Sequence, residues 1–158
     1  MDTANEILRR LRQRSPAGFA IALHVEFTTP KYLFQAYDKD WLNHYSSRGL
    51  VMHDPTVRWG FEHTGAIRWS DLAADDPMAV LAQAAAYGLR YGLTVAVNAA
   101  GTRSISSFAR SDREMSDLDI AAISADVADL HKLTGDLAHY TPAMHETLRQ
   151  MSIYLTHS

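Results

Sequence analysis

The chain contains no cysteine. Disulfides, thiolate metal sites and a cysteine nucleophile are thereby excluded, and the absence fits a reducing compartment. No apolar run approaches the roughly 20 residues needed to span a bilayer. The N-terminus, MDTANEILRRLRQR, lacks the apolar core of a signal peptide. Charge of one sign is also scarce. A net charge of −3 over 158 residues makes no strong field for DNA or an anionic membrane. There is no Gly-x-Ser-x-Gly elbow and no glycine-rich phosphate loop, so no enzyme is signalled. The eight histidines include no His-x-His or His-x3-His pair. His131, His139 and His145 fall in different segments, so neither a metal site nor a cofactor is expected. No internal repeat, linker or low-complexity tract interrupts the chain. What remains is a single domain over residues 1–158, 47% apolar, soluble, cytoplasmic and large enough to bury a core.

Periodicity and punctuation place the elements. Thr3 and Glu6 form a capping-box pattern ahead of an apolar stripe, Ile7, Leu8 and Leu11, which predicts a helix over residues 3–14. Arg9, Arg10, Arg12 and Arg14 read as its solvated face. Residues 19–27 and 32–37 are strand candidates joined by a turn at Thr28-Thr29-Pro30. Asp40 is the expected N-cap of a short helix through Ser47, with Gly49 beyond it. Asp54-Pro55 reads as N-cap and first helical position of a helix reaching about His63. Residues 66–72 read as a connection carrying Trp69. Asp76-Pro77 repeats the cap signal before an Ala-rich helix. Residues 94–99 and 104–110 predict a hairpin around Ala100-Gly101. Ser116 caps a long helix that Gly135 interrupts or bends, and Thr141-Pro142 opens a last one. Early and mid-chain strands with helices between and after predict an α/β fold, an α-β-α sandwich around an antiparallel sheet.

The most informative stretch is residues 37–69. It holds three tryptophans, two tyrosines and an Asp-Pro step. Tyr37, Trp41 and Tyr45 are spaced by four and form one stripe on a helix; with Asp40 as cap, Tyr37 falls at the preceding strand end, facing the same way. Leu, Ile and Phe would be the commoner structural choice. Tyr and Trp carry donors that need partners when buried, and Asp54 adds an acceptor. Donors and a carboxylate converging on a cavity suit a small ligand bearing an amide and carbonyls. From the residues alone, simpler readings stand beside this one. Trp41 also fits a core tryptophan, Asp54 a helix cap, Tyr45 a core aromatic, Trp69 a plug of the core and Thr94 an ordinary strand residue.

The ordered set Tyr-x3-Trp-x3-Tyr, Asp-Pro, then Trp fifteen residues past the Asp resembles the N-acyl-homoserine-lactone-binding domain of LuxR-type quorum-sensing regulators. The resemblance continues through Tyr91-Gly92-Leu93-Thr94 and covers the chain from about residue 19 to its end. It implies a PAS/GAF-like sandwich with a sheet of about five strands. It also implies that Trp41 donates to the lactone carbonyl, Asp54 accepts the amide N–H and Tyr37 donates to the acyl carbonyl. Tyr45 would wall the acyl chain and Trp69 the lactone ring. Ser106 would bond the acyl carbonyl or a 3-substituent, with the register uncertain by a residue because Ser104 and Ser107 are neighbours. Thr94 would line the pocket.

The resemblance implies partners as well: a small-molecule autoinducer and a second copy in a homodimer, with the helix after Ser116 as candidate interface. DNA would be reached only through a C-terminal helix-turn-helix domain, and the chain is expected to end where that domain would begin. Two alternatives remain open: a free-standing protein that dimerises with and inhibits a full-length regulator, and a sensor for a different small molecule.

Overall fold

A computed structural model of the chain describes residues 2–135 and Glu146. The last predicted helix, with His139 and His145, lies outside them. Helix α1 spans Ala4–Arg14, with the Thr3–Glu6 capping box formed. Strands β1 (Gly18–Glu26) and β2 (Thr29–Gln35) follow, then α2 (Lys39–Ser47), a 3-10 turn at Leu50–His53 and α3 (Pro55–Glu62). Strand β3 is Gly65–Arg68, α4 is Val80–Ala86, β4 is Tyr91–Ala99, β5 is Thr102–Arg110 and α5 is Asp117–Gly135. The five strands make one antiparallel sheet in the order β2-β1-β5-β4-β3. Helices α1 and α5 bury Ile7, Leu8, Leu11, Ile123, Val127 and Leu130 against Phe19, Ile21, Leu23 and Phe108 on one face. On the other face α2 and α4 share a second core with Tyr37 and Trp69, and α3 packs on β4 and β5. This is the expected sandwich of helices, sheet and helices.

Several local expectations are corrected. Asp38, not Asp40, caps α2, its carboxylate accepting from the Asp40 amide at 3.2 Å. Pro30 is inside β2 rather than in the turn; β2 is an edge strand, where a missing N–H costs no ladder bond. The connection after α3 contains the short strand β3, paired to β4. Asp76 does satisfy two amides, those of Val80 and Leu81 at 2.9 Å. The helix nevertheless starts only at Val80, after Ala79 turns left-handed at φ 52°. The arginine face of α1 is not simply solvated. Arg10 pairs with Asp126 at 2.7 Å and Arg14 with Asp119 at 3.0 Å, so charge ties α1 to α5 along the edge of their shared core.

Two backbone features shape the second face. Gly18 has φ +115°, and a Cβ there would lie 2.5 Å from the Ala36 carbonyl oxygen and 2.8 Å from the Tyr37 ring. Only glycine allows β1 to pass that close to Tyr37. Further along, β1 carries a bulge between Ala22 and Val25, with His24 at φ 53°. The bulge redirects side chains, as bulges do: Ala20, Ala22 and Val25 line the second face, whereas His24 bonds α5 through the His131 carbonyl and Thr134 hydroxyl, both at 2.9 Å.

Candidate functional site

A cavity of about 770 Å³ lies between the sheet and the α2–α3–α4 layer. Its floor is Ala20, Ala22 and Val25 of β1, Leu33 and Gln35 of β2, and Ile105 and Ser107 of β5. Tyr37, which bonds Ser107 opposite Ala20, lies toward one end of this floor, and Phe61, next to the Gly60 carbonyl that Arg103 holds opposite Val25, toward the other; Trp41, Tyr45, Val51, Met52, Asp54, Thr56 and Trp69 also line the cavity. The α2 face supplies Trp41 and Tyr45 because they are one helical turn apart. Trp41 is 4% exposed, and its ring lies 5.6 Å from that of Tyr45 and 5.5 Å from that of Tyr87. His44 bonds Gln83 at 2.7 Å, locking α2 to α4 behind the indole. Among the described residues no hydrogen bond uses the Trp41 N–H, and Trp41 lines the cavity.

Asp54 does two jobs with two oxygens. Oδ1 accepts from the Thr56 amide at 2.8 Å and the Thr56 hydroxyl at 2.7 Å, capping α3. Oδ2 accepts from the Tyr45 hydroxyl at 2.8 Å. Burial raises the Asp54 pKa above its ordinary 3.8, while the bonds from Thr56 and Tyr45 pull it back. An ionised carboxylate has about four lone-pair sites; with three donors recorded, capacity for a fourth remains. The Tyr37 hydroxyl reaches the Ser107 carbonyl at 3.3 Å, a long bond that leaves its proton available to a better acceptor. Burial, then the nearby Asp54 charge, drives the Tyr37 pKa upward, so the phenol stays protonated.

Trp69 sits flat over Gly92, where a Cβ would come within 1.9 Å of the indole ring. Its Nε1 donates to the Thr94 hydroxyl at 3.1 Å, and Thr94 and Ser107 share a hydrogen bond at 2.8 Å. Thr94 therefore stands behind Trp69 and supports Ser107; it is absent from the cavity lining. When Thr94 donates in that pair, the Ser107 proton is free to point into the cavity.

Ser106 borders the cavity, but its side chain does not serve it. Ser106 pairs directly with Ile21 and Val95, whose side chains belong to the core under α1 and α5. Directly paired residues share a face, so the Ser106 hydroxyl points away from the cavity, buried and without a partner. Ser107 is the serine whose side chain is on the cavity face of the sheet. The ambiguity of one residue resolves against Ser106. Thr56 was missed by sequence reasoning, although an N-cap Asp followed two residues later by a hydroxyl is a visible signal for a doubled cap. No group of three or more His, Cys, Asp or Glu side chains able to hold a metal is found among the described residues, and none of their helices is long and apolar enough to cross a membrane.

Comparison with solved structures finds the same fold. SdiA in complex with octanoyl-rac-glycerol superposes with a TM-score of 0.62 at 22% identity, over 90% of this chain and 64% of that one. The solution structure of Escherichia coli SdiA gives a TM-score of 0.61 at 23% identity, covering 83% and 86%. CepR2 of Burkholderia cenocepacia, described as an N-acylhomoserine-lactone-dependent LuxR family transcription factor, gives 0.55 at 18% identity, covering 87% and 92%. The chain thus spans less than two thirds of the first of these proteins. A comparison with curated protein sequences finds no match. The family model described as the autoinducer binding domain matches residues 5–139, and the chain belongs to that family.

Proposed function

We propose that the cavity binds an N-acyl-homoserine lactone and that binding couples to folding and homodimerisation. The observation that carries this reading is the half-buried Asp54 carboxylate, with acceptor capacity to spare, lining the cavity with the Tyr37 and Trp41 donors. The ligand's amide N–H takes the open Asp54 site. The Trp41 N–H serves the lactone carbonyl, and Tyr37, with Ser107 beside it, serves the acyl carbonyl. Trp69 walls the lactone ring and Tyr45 the acyl chain, and Tyr45 also fixes Asp54. No bond is made or broken in this account, so the chain acts as a receptor rather than an enzyme. In a complete regulator, acting in the cytoplasm, two such domains would space two DNA readers over an operator.

Ligand that binds the folded state and not the unfolded one stabilises it by about 2.7 kcal/mol at a hundredfold excess over Kd. A thermal-shift screen against acyl-homoserine lactones is the test. A rise in Tm that grows with ligand concentration is expected. A folded sample that shifts with none of them refutes the reading. Octanoyl-rac-glycerol belongs in the same screen as the alternative head group, because SdiA has been solved with it. A shift with the glycerol ester and none with any lactone favours a sensor for a different small molecule.

A further inference from the structure

The two ends of the cavity differ in enclosure as well as in polarity. Toward the Ala20 end Tyr37 is buried, as are Trp41 and Trp69. Toward the Val25 end Phe61 is 42% exposed, and the wall residues Met52 and Val51 are 80% and 50% exposed. All three still line the cavity, so it opens to solvent through an apolar rim. Between the ends the floor is β1. Ala20 and Ala22 are too small to obstruct it, and alternation would next turn His24 into the channel. The bulge prevents this by sending the His24 ring to α5 and bringing Val25 onto the channel wall. The floor from residue 20 to 25 then runs on the order of 15 Å, at roughly 3.3 Å per residue, and presents no polar side chain of β1.

We infer that this channel takes a long acyl tail, laid along β1 from Ala20 to Val25, whose end emerges between Met52 and Phe61. Ligand choice then has a lower limit of chain length and no upper one, and Ala22 is the residue that keeps the passage open. The inference rests on the head-group reading above. A butanoyl tail leaves the stretch from Ala22 to the mouth unfilled. Each further methylene laid on that floor leaves water and gains about fourfold in affinity when fully buried. Methylenes beyond the rim stay in water and gain nothing. A pocket closed at this end would behave differently, rejecting long tails by overpacking.

Calorimetric titration of the chain with N-butanoyl-, N-octanoyl-, N-dodecanoyl- and N-tetradecanoyl-homoserine lactone separates the outcomes. Affinity should climb by more than about tenfold from butanoyl to octanoyl and then level off, with no loss between dodecanoyl and tetradecanoyl. Strongest binding by butanoyl, or a drop of about tenfold at tetradecanoyl, overturns the open channel and leaves the head-group reading intact. Binding by none of the four overturns both. Ala22→Phe, checked for a cooperative melt, should lose dodecanoyl by more than about tenfold and keep butanoyl within about threefold. Equal losses for both ligands remove Ala22 from the role. If that variant does not fold, the titrations of the unmodified chain decide.

Discussion

The Tyr45 hydroxyl donates to Asp54 Oδ2 at 2.8 Å, so the residue that walls the cavity also aims the carboxylate at its centre. Tyr45 is on α2 and Asp54 caps α3. The bond therefore fixes the angle between two helices and the direction of one charged acceptor together. It also favours the ionised form of a carboxylate that burial pushes toward neutrality.

Asp54→Asn keeps a cap for α3 but removes the charge. A hydrogen bond to a charged group is worth about 1.5–3 kcal/mol, so lactone affinity should fall roughly 10- to 100-fold. Calorimetric titration of the variant reads this directly, and an unchanged Kd removes Asp54 from the ligand's contacts.

Tyr45→Phe should move the pH dependence of binding. Lactone affinity is expected to weaken as pH falls through the raised Asp54 pKa, because the protonated acid no longer offers a charged acceptor. Without the Tyr45 bond that pKa rises further, so the loss of affinity begins at higher pH. The sign for folding of the free chain is the reverse. A raised carboxylate pKa contributes stability that is fully present below the unfolded value and is lost as pH rises through the folded one. Titrations across the acidic range, with melts of the ligand-free chain, check both signs; coincident pH profiles for variant and parent contradict the assignment.

Trp41→Phe keeps an aromatic ring but deletes the donor and part of the indole. Neutral hydrogen bonds contribute about 0.5–1.5 kcal/mol, which predicts a loss of roughly two- to tenfold in lactone affinity. The ligand-free Tm should fall modestly, because Phe fills less of the space of this buried indole, although no protein group among the described residues takes that N–H. A large fall in the ligand-free Tm with unchanged Kd would make Trp41 a core residue alone.

Gly92→Ala tests the floor beneath Trp69. The added methyl would overlap the indole, and overpacking of this kind costs about 1–3 kcal/mol. A Tm lower by several degrees is expected at about 2–4 °C per kcal/mol for a domain of this size. An unshifted melt means that Trp69 swings away without cost.

His24 titrates outside the site. Burial lowers its pKa below the ordinary 6.5, and the neighbouring His131 ring, 4.4 Å away, lowers it further. A depressed histidine pKa contributes stability present above the unfolded value and lost as pH falls through the folded one. The Tm should therefore drop as pH falls below about 6.5. The drop should shrink in His24→Asn, a residue that tolerates positive φ. Equal acid sensitivity in both chains contradicts the assignment.

The sequence carried much of this site, and the reasons it stopped are physical. Asp54-Pro55 was legible because N-cap and N1 preferences are local, and the α2 stripe because helical spacing is local. Ser107 against Ser106 was not, because a one-residue shift of register swaps the faces of a strand and only pairing with Ile21 and Val95 fixes it. The bulge at His24 left no local signal either; its ring finds Thr102, Thr134 and the His131 carbonyl at long range. Strand β3 escaped because four residues are too few to show alternation.

One measurement weighs most: calorimetric titration of N-octanoyl-homoserine lactone into the unmodified chain, Asp54→Asn and Trp41→Phe, each folded before ligand is added. Saturable one-site binding to the unmodified chain, weakened by both substitutions and more by the first, is the predicted result. Absence of binding to the unmodified chain, or equal affinity in all three, would contradict the claim that this carboxylate and this indole hold one head group between them.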